Sequence, residues 1–199
     1  HALLCDQRGG IYFTPDQGLY YYSFITEKIR SIPIPAHSPD IDITALHLDP
    51  KGQLWVGTSG GGLFHADTTD FRYSPVVIDT SLESSAILSI QSDADRLWVS
   101  SLNGVWYHDF RESVLHFHSL ENDYHQRKYY VYQVLRDANG ILWLATDGQG
   151  ILRIEHQQIS PFPANHKLDH KSFYSLVEDA RQHLWFNAYL DGLYTVQGD

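Results

Sequence analysis

Nine residues scattered along the chain carry side chains suited to holding a polar small molecule. Asp16, Ser59, Asn103, Asp147, Gln149, Tyr189 and Asp191 sit in short Gly-rich turns, and His166 and His170 in a longer polar stretch. Carboxylates and amides exchange hydrogen bonds with ligand hydroxyls, and a tyrosine ring offers a flat apolar surface. Together they suit a carbohydrate, which surrounds an apolar ring face with hydroxyls, or another polar small molecule. Taken singly, each is better read as a turn former, because Asp, Asn, Gly and Ser favour turns. A site exists here only if the fold gathers these residues on one surface.

The elements that would do so are visible as an internal repeat. Tyr12, Trp55, Trp98, Trp143 and Trp185 lie 43, 43, 45 and 42 residues apart. A glycine follows each by six or seven residues (Gly18, Gly62, Gly104, Gly150, Gly192), and an aspartate precedes each by six (Asp6, Asp49, Asp137, Asp179) or five (Asp93). A period of this length with strand-like content predicts an all-β array of the β-propeller type. First strands are expected at 2–6, 44–49, 87–93, 131–137 and 173–179, rich in residues that suit pleated, buried surfaces. The aromatic anchors fall on second strands, and third strands begin at the repeat glycines. Fourth, more polar strands are expected at KIRSIPIP, FRYSPVVI, VLHFHSL and QISPFPA. The single domain, 1–199, then divides into repeats at about 2–35, 43–78, 87–120, 131–164 and 173–199.

The repeat accounts for much of its own composition. Its aspartates are expected to accept backbone amides at tight turns, its tryptophans to fill the space between sheets, and its glycines to permit the reversal into the third strand. Turns between second and third strands share one rim with the connections between units. Four such connections are long and polar, at 36–42, 79–85, 120–130 and 165–172, and place His125, His166 and His170 beside Tyr124, Arg127, Tyr129 and Tyr130.

The phrases DPKGQLWVGTSGGGLF and DANGILWLATDGQGIL resemble the repeat of the two-component regulator propeller family, and the resemblance extends from Ala2 to Val196. The first copy departs from the pattern with Tyr12 and a Thr14-Pro15 turn, the third with Ser100 and Ser101, and the fifth with Asn187 and Ala188. The resemblance implies the periplasmic sensor propeller of a histidine kinase, hybrid two-component regulator or diguanylate cyclase. It also implies a ligand signal relayed through an immunoglobulin-like domain and a transmembrane helix to a cytoplasmic output module. The absence of an initiating Met, a signal peptide and a long apolar run is read as that of an excised piece whose membrane anchor lies elsewhere. Five units could close a ring, but the first opens on a first strand and the last ends on a third. A slice of a larger, seven-bladed propeller is therefore favoured, with sticky terminal faces and self-association, such as a homodimer, expected.

Other chemistries fit less well. Thr58-Ser-Gly-Gly-Gly62 lacks the Gly-Lys-Ser/Thr ending of a phosphate cradle and leads into a strand. Asp137-Ala-Asn-Gly140 lacks the further ligands of a calcium loop. His116 and His118 alternate on a strand but want a third metal ligand. No cofactor or metal is implied. Two alternatives remain open: a propeller lyase or glycosidase with Asp147, Asp191, His166 and His170 at its channel, and a protein-interaction platform.

With 24 acidic and 14 basic residues the net charge is −10. That excludes nucleic acid and anionic membrane surfaces as natural partners, because phosphate binding needs clustered Lys and Arg. The chain can bury about 70% of its unfolded surface. Its single cysteine, Cys5, is expected to be a buried thiol on a first strand.

Overall fold

A computed structural model describes residues 2–6, 8–15, 18–33, 42–76, 86–112, 117–119, 129–155, 158–162, 168 and 170–196. They form five antiparallel sheets with no helix among them. The first sheet comprises β1 (Leu3–Asp6), β2 (Gly10–Phe13), β3 (Leu19–Ser23) and β4 (Lys28–Ile32). The second holds β5 (Ile43–Leu48), β6 (Gln53–Thr58), β7 (Leu63–Asp67) and β8 (Tyr73–Pro75), and the third β9 (Ile87–Ser92), β10 (Arg96–Ser101), β11 (Gly104–Asp109) and β12 (His118–Ser119). The fourth holds β13 (Val131–Arg136), β14 (Leu142–Thr146), β15 (Ile151–Glu155) and β16 (Gln158–Pro161). The fifth has three strands, β17 (Phe173–Glu178), β18 (Leu184–Ala188) and β19 (Gly192–Val196). Each sheet is a meander in which sequence neighbours pair, the blade of a β-propeller.

Four apolar cores lie between successive blades. Trp55 packs with Ile90, Leu97 and Val99 of the next blade, Trp98 with Val134 and Leu144, and Trp143 with Leu176 and Phe186. Tyr12 takes the equivalent place against Leu54 and Val56. The anchors are thus inter-blade filler. The innermost strands pack in the series β1, β5, β9, β13, β17, and no comparable packing joins β17 back to β1 among the described residues. The blades form an open arc, part of a larger propeller.

The terminal faces of the arc show what is uncovered. Leu193 is 64% exposed, whereas Leu19, Leu63, Val105 and Ile151, which hold the same repeat position, are between 0 and 2% exposed. On the first blade Leu3 is 68% exposed, while its counterparts Ile90, Val134 and Leu176 are buried. Cys5, expected to be buried, is exposed. It alternates with Leu4 on β1, the innermost strand of a blade that has no neighbour on that side.

The repeat aspartates act as turn clamps. Asp49 Oδ1 accepts the backbone N–H groups of Lys51 and Gln53, each at 2.9 Å, while its Oδ2 accepts the Trp55 indole N–H at 3.0 Å. Asp137 and Asp179 repeat the arrangement with Trp143 and Trp185. In the third blade the turn is one residue shorter. Asp93 clamps Asp95 and Arg96, but the Trp98 indole N–H has no acceptor among the described residues. At the other end of the second strand, the Thr58 and Thr146 hydroxyls donate at 2.7 Å to the carbonyls of Gly62 and Gly150, whose φ values of 80° and 73° glycine tolerates without strain.

Candidate functional site

The turns joining second to third strands open on one end of the blades, and the start of each innermost strand meets them there. In blades two to five that innermost strand carries a β-bulge at its start, placing one extra residue, Thr44, Leu88, Tyr132 or Tyr174, opposite the second strand. A bulge re-aims the side chain it carries and is a recurrent device beside functional sites. In blade two the Thr44 hydroxyl crosses to the Ile87 carbonyl of the next innermost strand. In blades four and five the bulged residue is a tyrosine.

Tyr132 and Tyr174 meet edge to face with ring centroids 4.4 Å apart, and Tyr174 meets Tyr189 of the β18–β19 turn at 5.3 Å. Tyr174 and Tyr189 are exposed, as is Tyr130 just before β13. Burial, a hydrogen bond with Tyr174 and the nearby Asp147 charge push the Tyr132 hydroxyl up to about 12, so it stays protonated at neutral pH. Asp147 accepts the Ser172 hydroxyl, whose oxygen in turn accepts the Gly148 N–H at 3.0 Å. Backbone bonds from Asp147 to the Tyr130 carbonyl at 3.0 Å and from Tyr189 to the Ser172 carbonyl at 2.9 Å tie both turns to their innermost strands. The result is a patch of phenol rings with one fixed carboxylate beside it.

The residues proposed from sequence divide accordingly. Asp147 and Tyr189 belong to this patch. Asp191 lies on the adjoining turn but is engaged by Lys171 and the Tyr194 hydroxyl, which hold its carboxyl below the usual range. Gln149 is half-buried in the same turn as Asp147. His170 is exposed in a turn with φ of 67°. Ser59 and Asn103 occupy the equivalent rim of blades two and three. There the Ser59 N–H donates to the Asp42 carbonyl at 2.9 Å and the Asn103 N–H to the Ser101 hydroxyl at 3.0 Å. Asp16 and His166 lie outside the described residues, as do His116, His125, Tyr124 and Arg127. Tyr129, placed beside them from sequence, is a core residue. Among the described residues no three His, Cys, Asp or Glu side chains gather as a metal site, and Asp137 spends its oxygens on the turn and on Trp143.

Sequence reasoning missed Tyr132, Tyr174, Ser172 and Lys171. The available signal was positional: Tyr132 and Tyr174 each stand five residues before the repeat aspartate, where the preceding blades have Thr44 and Leu88.

A family model for the two-component regulator propeller matches residues 37–60 and 126–148. Those two segments carry the two-component regulator propeller repeat. These propeller blades are similar to the extracellular domain of a putative hybrid two-component system from B. thetaiotaomicron, with 15% identity, 99% of this chain, 27% of that one and a TM-score of 0.77. They are similar to PorZ, a surface component of the type-IX secretion system of Porphyromonas gingivalis, with 16% identity, 99% of this chain, 32% of that one and a TM-score of 0.77. Virginiamycin B lyase from Staphylococcus aureus is similar at 13% identity, over 98% of this chain and 68% of the lyase, with a TM-score of 0.72. At such identities the likeness is one of fold. The chain spans less than a third of the length of the first two proteins. A search of curated proteins gave no match. Among the described residues no helix is long and apolar enough to cross a membrane.

Proposed function

We propose that this chain is part of the extracytoplasmic, periplasmic sensing propeller of a bacterial signal-transduction receptor, and that it binds a polar small molecule on the rim of blades four and five. The observation that carries the reading is the bulged pair Tyr132 and Tyr174 with Tyr189 and Asp147, on blades four and five, the first of which includes a segment matched by the two-component regulator propeller model. Phenol rings and a carboxylate at one rim suit a saccharide, whose apolar face stacks while its hydroxyls bond. Asp191 is already engaged by Lys171 and Tyr194, so among the described residues the patch offers one carboxylate rather than the two that glycoside hydrolysis uses.

Binding signals only if one arrangement of the receptor holds the ligand better than another, and that difference in affinity sets how far the output can move. The experiment is a thermal-shift screen against mono- and oligosaccharides, amino acids and nucleotides, with product analysis on the same samples. A saturable upward shift without product supports the sensor. Turnover would reassign the chain to the propeller enzymes, and no shift with any compound would remove the ligand-binding reading.

A further inference from the structure

The first blade departs from the repeat in a coordinated way at the end opposite the tyrosine rim. Tyr12 stands where the other four blades have tryptophan, so no indole reaches the repeat aspartate. Instead the Tyr21 hydroxyl on β3 donates to Asp6 Oδ2 at 2.8 Å, while Asp6 Oδ1 accepts the N–H groups of Arg8 and Gly10 at 3.0 and 2.7 Å. Gly10 is part of the change, since a Cβ there would collide with the Tyr21 hydroxyl. Tyr21 leans on Tyr12 with centroids 4.8 Å apart. Below this pair a groove of about 400 Å³ runs between blades one and two, walled by the Arg8 turn, the β3–β4 turn and Phe71.

Arg8, Lys28 and Arg30 all line the groove, and its one carboxylate among the described residues, Asp6, already accepts three donors. None of the three cations lies within ion-pair distance of a carboxylate among the described residues. The Arg30 guanidinium carbon lies 4.7 Å from the centroid of the Phe71 ring, a cation–π contact that uses none of its N–H donors. Arg8 is steadied by a 3.4 Å bond to the Thr68 hydroxyl. Such a cluster runs against a net charge of −10, which would repel anions from the molecule as a whole.

We propose that this groove is a second binding site, and that Arg8, Lys28 and Arg30 take the oxyanion group, carboxylate, sulfate or phosphate, of a small molecule. The planar guanidinium of Arg30 supplies paired donors to such a group, with Arg8 and Lys28 as converging charges. The site is independent of the tyrosine rim, so either stands if the other fails.

The test is isothermal titration at low ionic strength with three separate probes: D-glucuronate, inorganic sulfate and inorganic phosphate. Arg30→Gln and Arg8→Gln should each weaken binding of the responding probe by about tenfold, the loss of one charge-assisted contact. Added salt should weaken it further. Arg181→Gln, on the fifth blade, removes the same charge from the protein and should leave binding within about twofold, separating a local site from the general field. Both groove arginines have exposed side chains, so unchanged melting of the variants without probe confirms that they fold. Which probe responds identifies the oxyanion, glucuronate alone marking a carboxylate. Failure of all three to bind, or equal weakening by Arg181→Gln, overturns the proposal.

Discussion

The Trp143 indole nitrogen donates to Asp137 Oδ2 across 2.8 Å, joining the filler of one inter-blade core to the turn that precedes its own strand. Asp137 is buried and takes two backbone N–H groups as well, from Asn139 at 3.0 Å and Ile141 at 2.8 Å. One side chain therefore satisfies three donors, of which burial would leave the Trp143 indole N–H unpaired, and does so where second strand, turn and core meet.

Asp137→Ala should destabilise the protein by roughly 3 kcal/mol, because the buried indole N–H loses its acceptor and the turn loses two further bonds. Asp93→Ala should cost less, since the Trp98 indole has no acceptor among the described residues. Urea denaturation of the two variants compares them directly. Equal losses would mean that the indole bond contributes nothing beyond the turn.

Trp143→Ala should cost roughly 3 to 5 kcal/mol, the range for removing a large aromatic from a core. Its ring is buried with Phe162 at 5.3 Å and Phe186 at 6.4 Å. Trp185→Ala should cost less, because Trp185 is half-exposed on the uncovered fifth blade. Thermal melts of both variants give the ordering.

Much of this architecture was legible because the repeat imposes the same contacts on every blade. Trp, Asp and Gly recur since each serves one physical purpose, respectively filling between sheets, clamping a turn, and adopting a positive φ. The six-residue spacing from Asp to Trp marked the turn, although the indole bond that the spacing permits emerged only from the structure. The rim was legible as a place and less so as a set of residues. The sequence singled out turn residues such as Asp191 and His170, and it did not single out the strand residues Tyr132 and Tyr174 that the structure gathers at the rim. A bulge shifts one residue out of the alternation, and alternation is what a sequence reading follows. Cys5 misled for a related reason, since burial of a first strand depends on the blade beside it.

His47 gives the stability curve a predictable slope. Its imidazole Nε2 lies 2.7 Å from the Ser92 hydroxyl across the boundary of blades two and three, and burial lowers its pKa from 6.5 to about 4, with the Asp49 charge opposing the shift. Below pH 6.5 the unfolded chain takes up a proton that the folded one refuses until about pH 4. Stability should therefore fall as pH drops through that window, by up to about 3 kcal/mol. Denaturant melts of wild type and His47→Gln from neutral pH to pH 4 test this, the variant losing that part of the slope.

Asp179 acts at lower pH. Bonds from the Trp185 indole and from the His183 backbone hold its carboxyl well below the usual range. A depressed carboxylate stabilises the fold above its unfolded pKa and loses that contribution as acid protonates it in the folded state. Asp179→Asn should flatten the acid limb of the stability curve below about pH 4, and an unchanged limb would assign acid unfolding to other groups.

The uncovered face of the fifth blade should drive self-association. Leu193 is exposed where its four counterparts are buried against the following blade, and Leu3 is exposed on the opposite terminal face. These two faces are the halves of an interface that recurs within the arc, so copies of the chain can meet head to tail. Light scattering should show concentration-dependent assembly, reduced by Leu193→Lys with little loss of stability. A monomer at all concentrations would leave these faces without affinity for one another.

Tyr174 offers the test of whether the rim binds. It is the bulged residue of β17, its ring touches both Tyr132 and Tyr189, and it is exposed. Tyr174→Ala should therefore lower stability by about 1 kcal/mol or less, while weakening by about tenfold any saccharide that stacks there. Tyr174→Phe keeps the ring and loses the hydroxyl, so it should retain most of a stacking contribution. Calorimetric titration of the three proteins with the saccharide from the screen gives the result. If Ala and Phe weaken binding equally, the hydroxyl and its bond to Tyr132 carry the recognition; if neither changes it, the ligand lies elsewhere on the blades.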